Sequence, residues 1–503
     1  MLTKNLFRKA IYCLAVLMLV LNANAVSANS PVYVKQTGNV ITVSPTGTDD
    51  TANFQQAFAL AKAAGTGSTV RLSAGNFRIR WMEVKDFDGY FKGAGQTATV
   101  IDTFADQDCQ PMVDVDQWPS LLQFTRGYPR ISNLGFHITP TAPCKVYPLD
   151  TWSPGWRGSF IHVLSITASP WNSQTDCAKI QKEKVSASVT NVTIQGEDGA
   201  RWNGETDPFF SNVFGGIGVG GTTTMHAWDG VCVYQSKFGQ GVFRLADNTF
   251  RKVTNGVMPY GVYNSAVVLS GNTFDTLQAT AILTSDDSGS VFEMSHNRMQ
   301  TIGGSAIFIW QGGTPTKPFI QTASVFNIHD NDISAFGQGN GLVAWDLDNL
   351  GTPYAGYPST GKRAVLIVRD NRFTLDPSNV WGIWLEGIDD GLILNNKFSG
   401  NSLAAIEAGR WGPTHHGMII GNELSHYIRS DSSPYKIELQ AGTENYIVTG
   451  VPAEDVLDLG TNNLIGGTKI QVRSMTNQAL GAVLDQKMDW IKRMAHGFHL
   501  PDH

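Results

Sequence analysis

Charge is scarce in this chain. Only 16% of its 503 residues are Asp, Glu, Lys or Arg, and the 37 basic side chains are outnumbered by 43 acidic ones. That balance argues against the broad basic surface with which proteins hold nucleic acid or anionic lipid. Cysteine is scarce as well: there are five, none in the Cys-x-x-Cys spacing of a zinc site. Past the N-terminus no apolar run is long enough to read as a membrane span. Apolar residues nevertheless make up 42% of the chain, enough to bury a large core and to exclude a disordered protein. Glycine is abundant, with 52 residues, and implies many tight turns.

Residues 1–28 read as a signal peptide. Lys4, Arg8 and Lys9 precede an apolar run from Ile11 to Leu21, and Ala23-Asn24-Ala25 and Val26-Ser27-Ala28 both fit a cleavage site. Cys13 lies inside the apolar run, which argues against a lipid-anchored cysteine. The mature protein is expected to be secreted or periplasmic, without an integral membrane segment. Its net charge moves from −6 to −9 as the three positive charges leave. Export permits one or two disulfides among Cys109, Cys144, Cys177 and Cys232, in any connectivity.

A short pattern then recurs. FRLADNTF (Asn248), VVLSGNTF (Asn272), FEMSHNRM (Asn297), FNIHDNDI (Asn331), LIVRDNRF (Asn371), LILNNKF (Asn396) and MIIGNEL (Asn422) share an apolar stretch, small or polar residues, then Asn. The asparagines are 24, 25, 34, 40, 25 and 26 residues apart, a period that signals a solenoid with two lengthened coils. Leu366–Phe373 also fits a leucine-rich repeat, which would place a helix in the second half of each unit. Those second halves are QATAILTS, GSAIFIW, GNGLVAW and VWGIWLE, short and alternating with period two. They are strands, so the units build a parallel β-helix. Asparagine at the turn suits left-handed backbone, and its amide can bond the same residue one coil away.

The N-terminal stretch TDDTANFQQAFALAKAAGTGSTVRLSAGNFRI predicts a capped amphipathic helix over about 51–64, then glycine turns and first strands. With FKGAGQTATVID following, the chain resembles the right-handed parallel β-helix superfamily that includes pectin and pectate lyases and polygalacturonases. The resemblance covers most of residues 38–103 and 187–465. It implies an all-β, single-domain solenoid. The expected division is a signal peptide (1–28), an N-terminal cap with first coils (29–103), a Cys- and Trp-rich insertion (104–186), the main coils (187–470) and a C-terminal capping helix (471–503). Met475–His496 supplies the apolar face of that last helix.

Alternation sorts the second strands into columns. Ile282, Ile307, Leu342, Ile383, Ile406 and Ile437 face inward. Outside lie Met258, Leu283, Phe308, Val343, Trp384, Glu407 and Glu438, and beside them Tyr260, Ser285, Trp310, Trp345, Glu386, Gly409 and Gln440. Long segments, Gln311–Ala323 and Leu347–Arg363, leave the coil directly after this face, as does GRWGPTHH at Gly409–His416. Loops that grow on one face of a solenoid wall a groove.

Tyr260, Trp310, Trp345, Trp384 and Trp411 suit sugar rings, offering flat apolar area beside hydrogen-bonding edges. Glu386 and Glu407, one rung and two positions apart, are expected roughly 7–8 Å from each other, in the range of an inverting glycosidase pair. Arg410, His415 and Asp346 join them as candidate catalytic groups, Arg410 also as the partner of an acidic sugar. The same carboxylates offer ligands to Ca²⁺, the one cofactor the sequence suggests.

The expected function is that of an exported polysaccharide lyase or glycoside hydrolase, with a polysaccharide as partner and no nucleic acid. A non-catalytic glycan-binding or cell-surface β-helix is the alternative. The polygalacturonase signature is incomplete, since SDDS at Ser285–Ser288 has no accompanying Gly-His-Gly or Arg-x-Lys, so no catalytic set carries over. GIGVGG at Gly216–Gly221 matches G-x-G-x-x-G without the helix a dinucleotide site needs. His296 and His329, beside successive repeat asparagines, read as turn residues, and so does the pair Asp389-Asp390.

Overall fold

The computed structural model describes residues 33–106, 120–139, 162–167, 185–200, 206–211, 215–220, 241–260, 265–285, 289–311, 323–335, 339–346 and 364–466, with Val262 and Asp287. The expected signal peptide, the four later cysteines, the loops beyond Gln311 and Asp346, Asp286 and the expected C-terminal helix lie outside these residues.

The chain is a parallel β-helix. Nearly every strand pairs in parallel with the equivalent strand one coil before and one coil after. Each coil of the repeat runs through three strands. The first precedes the repeat asparagine (Ala266–Ser270, Val291–Ser295, Ser324–His329), and the second follows it (Thr273–Leu277, Arg298–Ile302, Asp332–Ala335). The third comes from the second half of the unit (Thr280–Ser285, Ile307–Gln311, Leu342–Asp346, Trp381–Glu386, Ala404–Ala408, Ile437–Leu439). Stacked, these make three sheets around one apolar core.

Phenylalanines stack along that core at close to rung spacing, with ring centroids 4.9 Å apart for Phe250–Phe274 and 4.8 Å for Phe373–Phe398. The helix α1 (Thr51–Ala64) falls where the sequence places it and buries Phe54, Ala57, Phe58 and Ala61 against the first coils. No described helix is long and apolar enough to cross a membrane.

The seven repeat asparagines form a continuous ladder. The Oδ1 of Asn272 accepts from both the backbone N–H and the side-chain amide of Asn248 at 3.0 Å, and the pattern repeats to Asn422. Each Nδ2 also donates to a backbone carbonyl of the coil before, as Asn297 does to Leu269 at 2.8 Å. The left-handed conformation expected of these asparagines belongs instead to the preceding residue: Asp247, Gly271, His296, Asp330, Asp370, Asn395 and Gly421 have φ between 51° and 66°. That corner turns the chain, which leaves the asparagine extended enough to point inward.

The expected single insertion over 104–186 needs correction. Ser120–His137 and His162–Thr167 are rungs of the solenoid, paired in parallel with Met82–Lys92, Ala187–Gln195 and Gly215–Gly220. Ser120–His137 turns two corners within one strand, at Arg126-Gly127 and at Asn133, all with positive φ. Gly215–Gly220, which contains most of the apparent G-x-G-x-x-G, is a third-sheet strand.

Candidate functional site

Third-sheet register confirms the columns read from alternation. Phe308 pairs with Val343, Val343 with Trp384, Trp384 with Glu407 and Glu407 with Glu438, while Trp310 pairs with Trp345 and Trp345 with Glu386. Tyr260 takes its expected place in register with Ser285. The outer face thus carries an aromatic stretch that gives way to carboxylates toward the C-terminal coils.

The tryptophans touch one another. Trp345 lies 5.0 Å from Trp384 and 5.3 Å from Trp411, and Trp384 lies 4.4 Å from Trp411, measured between ring centroids. Trp310 meets Trp345 at 6.2 Å. Trp384 is nearly covered at 5% exposure, Trp310 and Trp345 are half-buried, and Trp411 is 38% exposed. Trp381 completes the group, 4.3 Å from Trp384, with the Arg410 guanidinium 5.2 Å above its ring. Sequence reasoning passed over Trp381 because it shares the parity of inward-facing Ile383. It sits at the start of its strand, where the side chain reaches the outer cluster.

Glu386 is wholly enclosed. Trp384 Nε1 and the backbone N–H of Arg410 donate to Oε1 at 2.7 and 3.1 Å, and the backbone N–H of Trp411 donates to Oε2 at 3.0 Å. Two of these donors are available because the chain turns sharply at Gly409, whose φ is +72°. A Cβ there would come within 2.9 Å of Thr443 and breach ordinary contact. Burial pushes the Glu386 carboxyl up to about 7, against the three N–H donors that favour its charged form. Its geometry is that of a clasp on the Arg410-Trp411 turn.

Glu407 differs. It too has no exposure, but only its Oε1 is engaged, by Arg410 Nε and by Gln440 Nε2 at 2.9 Å. Its Oε2 has no hydrogen-bond partner among the described residues. Burial raises the affinity of Glu407 for a proton and Arg410 opposes that rise. Glu438 accepts from Gln440 at 2.9 Å and pairs with Arg429, which also holds Asp431 through two N–H donors. Arg429 arrives from a second-sheet strand, so third-sheet alternation gave no sign of it. Arg410, with 41% of its side chain exposed, is the open cover over Glu407.

The other candidates lie apart. Asp346 has the parity opposite to Trp345, is fully buried, and accepts from the backbone N–H of Ala364 at 2.9 Å, tying the two ends of the 347–363 segment. It therefore does not join the outer carboxylates. His415 is held at a corner, with Nδ1 2.8 Å from Asp389 Oδ1 and its backbone N–H donating to the same oxygen at 2.9 Å. Asp390, His416, Asn445 and Asn462 have positive φ at this corner, which supports the turn reading of Asp389-Asp390. Among the described residues, no three His, Cys, Asp or Glu side chains are gathered to hold a metal ion.

No protein-family model matches the chain, and no curated protein matches it. Among solved structures it is similar to the Dettilon tailspike protein gp208, with 12% identity over 84% of this chain and 68% of that chain and a TM-score of 0.46. It is similar also to the Azotobacter vinelandii mannuronan C-5 epimerase AlgE6 A-module, with 12% identity, 84% and 96% coverage and a TM-score of 0.40. A third is the Yersinia enterocolitica family 28 exopolygalacturonase, with 10% identity, 84% and 76% coverage and a TM-score of 0.37. The parallel β-helix is established by the strand pairing of this chain itself.

Proposed function

We propose that the protein engages an extended polysaccharide along the outer face of the third sheet, from Trp310 to Glu438. The tryptophan cluster carries this reading. Trp310 and Trp345 are register partners on successive rungs, Trp384 stands on the next rung in the neighbouring column and Trp411 on the turn after the following rung. Trp310, Trp345 and Trp411 remain partly open to solvent beside the exposed guanidinium of Arg410. Indole faces pack against the C–H face of a sugar ring, and a neighbouring cation holds a sugar carboxylate.

Cleavage is the finer part of the proposal. Arg410 is the only cation on Glu407 among the described residues. When an acidic sugar draws that guanidinium away, Glu407 is left in a dry site with its Oε2 unpartnered. Its proton affinity then rises, as a general acid for the leaving glycosidic oxygen requires. Elimination is ahead of hydrolysis because Arg410 favours a uronate. With its carboxylate neutralised, the adjacent carbon loses its proton to solvent hydroxide, a C=C bond forms as the C–O bond to the leaving oxygen breaks, and Glu407 supplies that oxygen's proton. Binding without cleavage is the second reading, favoured by the complete burial of both Glu386 and Glu407.

The test is a panel of neutral and acidic polysaccharides incubated with purified protein and with Glu407→Gln and Trp411→Ala variants. New reducing ends report cleavage, and unsaturated-sugar absorbance singles out a lyase. Glu407→Gln is expected to abolish product while retaining binding, and Trp411→Ala to weaken both. Binding that persists in Glu407→Gln with no product from any protein removes the catalytic part. Binding unaffected by Trp411→Ala removes the face itself.

A further inference from the structure

A second cluster lies on the first sheet, near the N-terminal end. Arg71 and Lys92 are register partners on adjacent rungs, and Thr69 and Tyr90 are partners in the column two positions away. Arg71 is exposed, Lys92 is half-buried, and Tyr90 is 41% exposed. Arg130 follows Tyr90 on the next rung. Its guanidinium lies 5.0 Å from the Tyr90 ring centroid and 4.1 Å from that of Tyr128, while its Nη1 pairs with Asp88 at 3.2 Å. Lys92 Nζ is 5.9 Å from the Tyr90 centroid.

Like charges directly opposite on paired strands destabilise a sheet. Two other surface cations of these coils are answered by acids, Arg126 by Asp86 and Lys85 by Glu83. Arg71 and Lys92 form no ion pair among the described residues. The pair is thus a local excess of positive charge on an acidic protein, set beside the Tyr90 ring, which is 41% exposed and already carries the Arg130 guanidinium 5.0 Å from its centroid. An anion bound between the two cations would relieve their repulsion, and a ring carrying that anion would lie against Tyr90.

We propose that Arg71, Lys92 and Tyr90 form a binding subsite for an acidic sugar unit of a polysaccharide. The two cations take its carboxylate or sulfate group, and Tyr90 takes the face of its ring. The subsite is on a different sheet from the tryptophan cluster and does not depend on the function proposed for that cluster.

The experiment is calorimetric titration at low salt of full-length Trp411→Ala protein, which weakens the third-sheet face. The probes are a polyuronate, its carboxyl-reduced neutral counterpart, and inorganic sulfate. The polyuronate is expected to bind and the neutral polymer not to. Arg71→Gln with Lys92→Gln is expected to weaken polyuronate binding at least tenfold and to flatten its salt dependence. Arg71→Lys with Lys92→Arg is expected to retain it. Tyr90→Ala is expected to weaken polyuronate binding severalfold and leave sulfate binding unchanged. Without ligand, the double glutamine variant is expected to melt no lower than its parent, because it loses a repulsion. Polyuronate affinity unchanged in the double glutamine variant overturns the proposal, as does equal binding of the neutral polymer. Sulfate binding without any preference for the polymer overturns it too.

Discussion

At Glu386 three N–H donors meet a carboxyl group that no water reaches, and the balance between them sets a pH dependence. Burial raises its proton affinity to about 7 from an ordinary 4.5. The protonated form is therefore favoured by folding. Its contribution is full below about pH 4.5 and is lost as pH rises through about 7. Glu386→Gln cannot ionise, so urea midpoints measured at pH 4.5 and 8 are expected to differ less in that variant than in the parent. His329 adds a second slope of the same sign. Burial disfavours its charged form, but contacts with Glu293 and Asp330 outweigh burial and raise its proton affinity. Stability from that contact is complete below pH 6.5 and declines as pH rises through the folded value. His329→Gln is expected to remove the part of the decline that lies above pH 6.5. At this scale the outward position of Glu386 and Glu407 was legible from alternation alone. Their enclosure was not, because it depends on how the Arg410-Trp411 turn folds back over the face.

The asparagine ladder is the element that keeps the coils in register, and it fails unequally along its length. Asn331→Ala removes the acceptor of the Asn297 backbone and side-chain N–H groups and the donor to Met294 and Asn371. Leaving such buried groups unpaired is expected to cost about 3 kcal/mol in urea unfolding. Asn422→Ala, at the last rung, interrupts no further amide stack and is expected to cost less. The ladder was readable because one amide fits its geometry, so Asn recurs at every rung. The corner residue before it was not readable, since Asp, Gly, His and Asn all adopt its conformation. Ser120–His137 escaped notice for a related reason. Its two corners reverse the inward and outward parity mid-strand, and Pro129 and Gly127 suggest a loop where the chain continues as a rung.

For the whole molecule, stacking turns single side chains into a track. From the Trp310 rung to the Glu438 rung is four steps, about 19 Å at ordinary strand spacing. Affinity for sugar chains is expected to rise with length until that span is covered. It is expected to rise again only for polymers long enough to reach the Arg71–Lys92 subsite, where the second contact becomes intramolecular. The most direct test of the central claim is titration of the parent and of Trp411→Ala with one acidic polysaccharide, with melting followed in both proteins. Because Trp411 is partly exposed, its removal is expected to leave the melting temperature within a few degrees of the parent and to weaken binding at least tenfold. Equal affinity in the two folded proteins would contradict the assignment of this face to a polysaccharide.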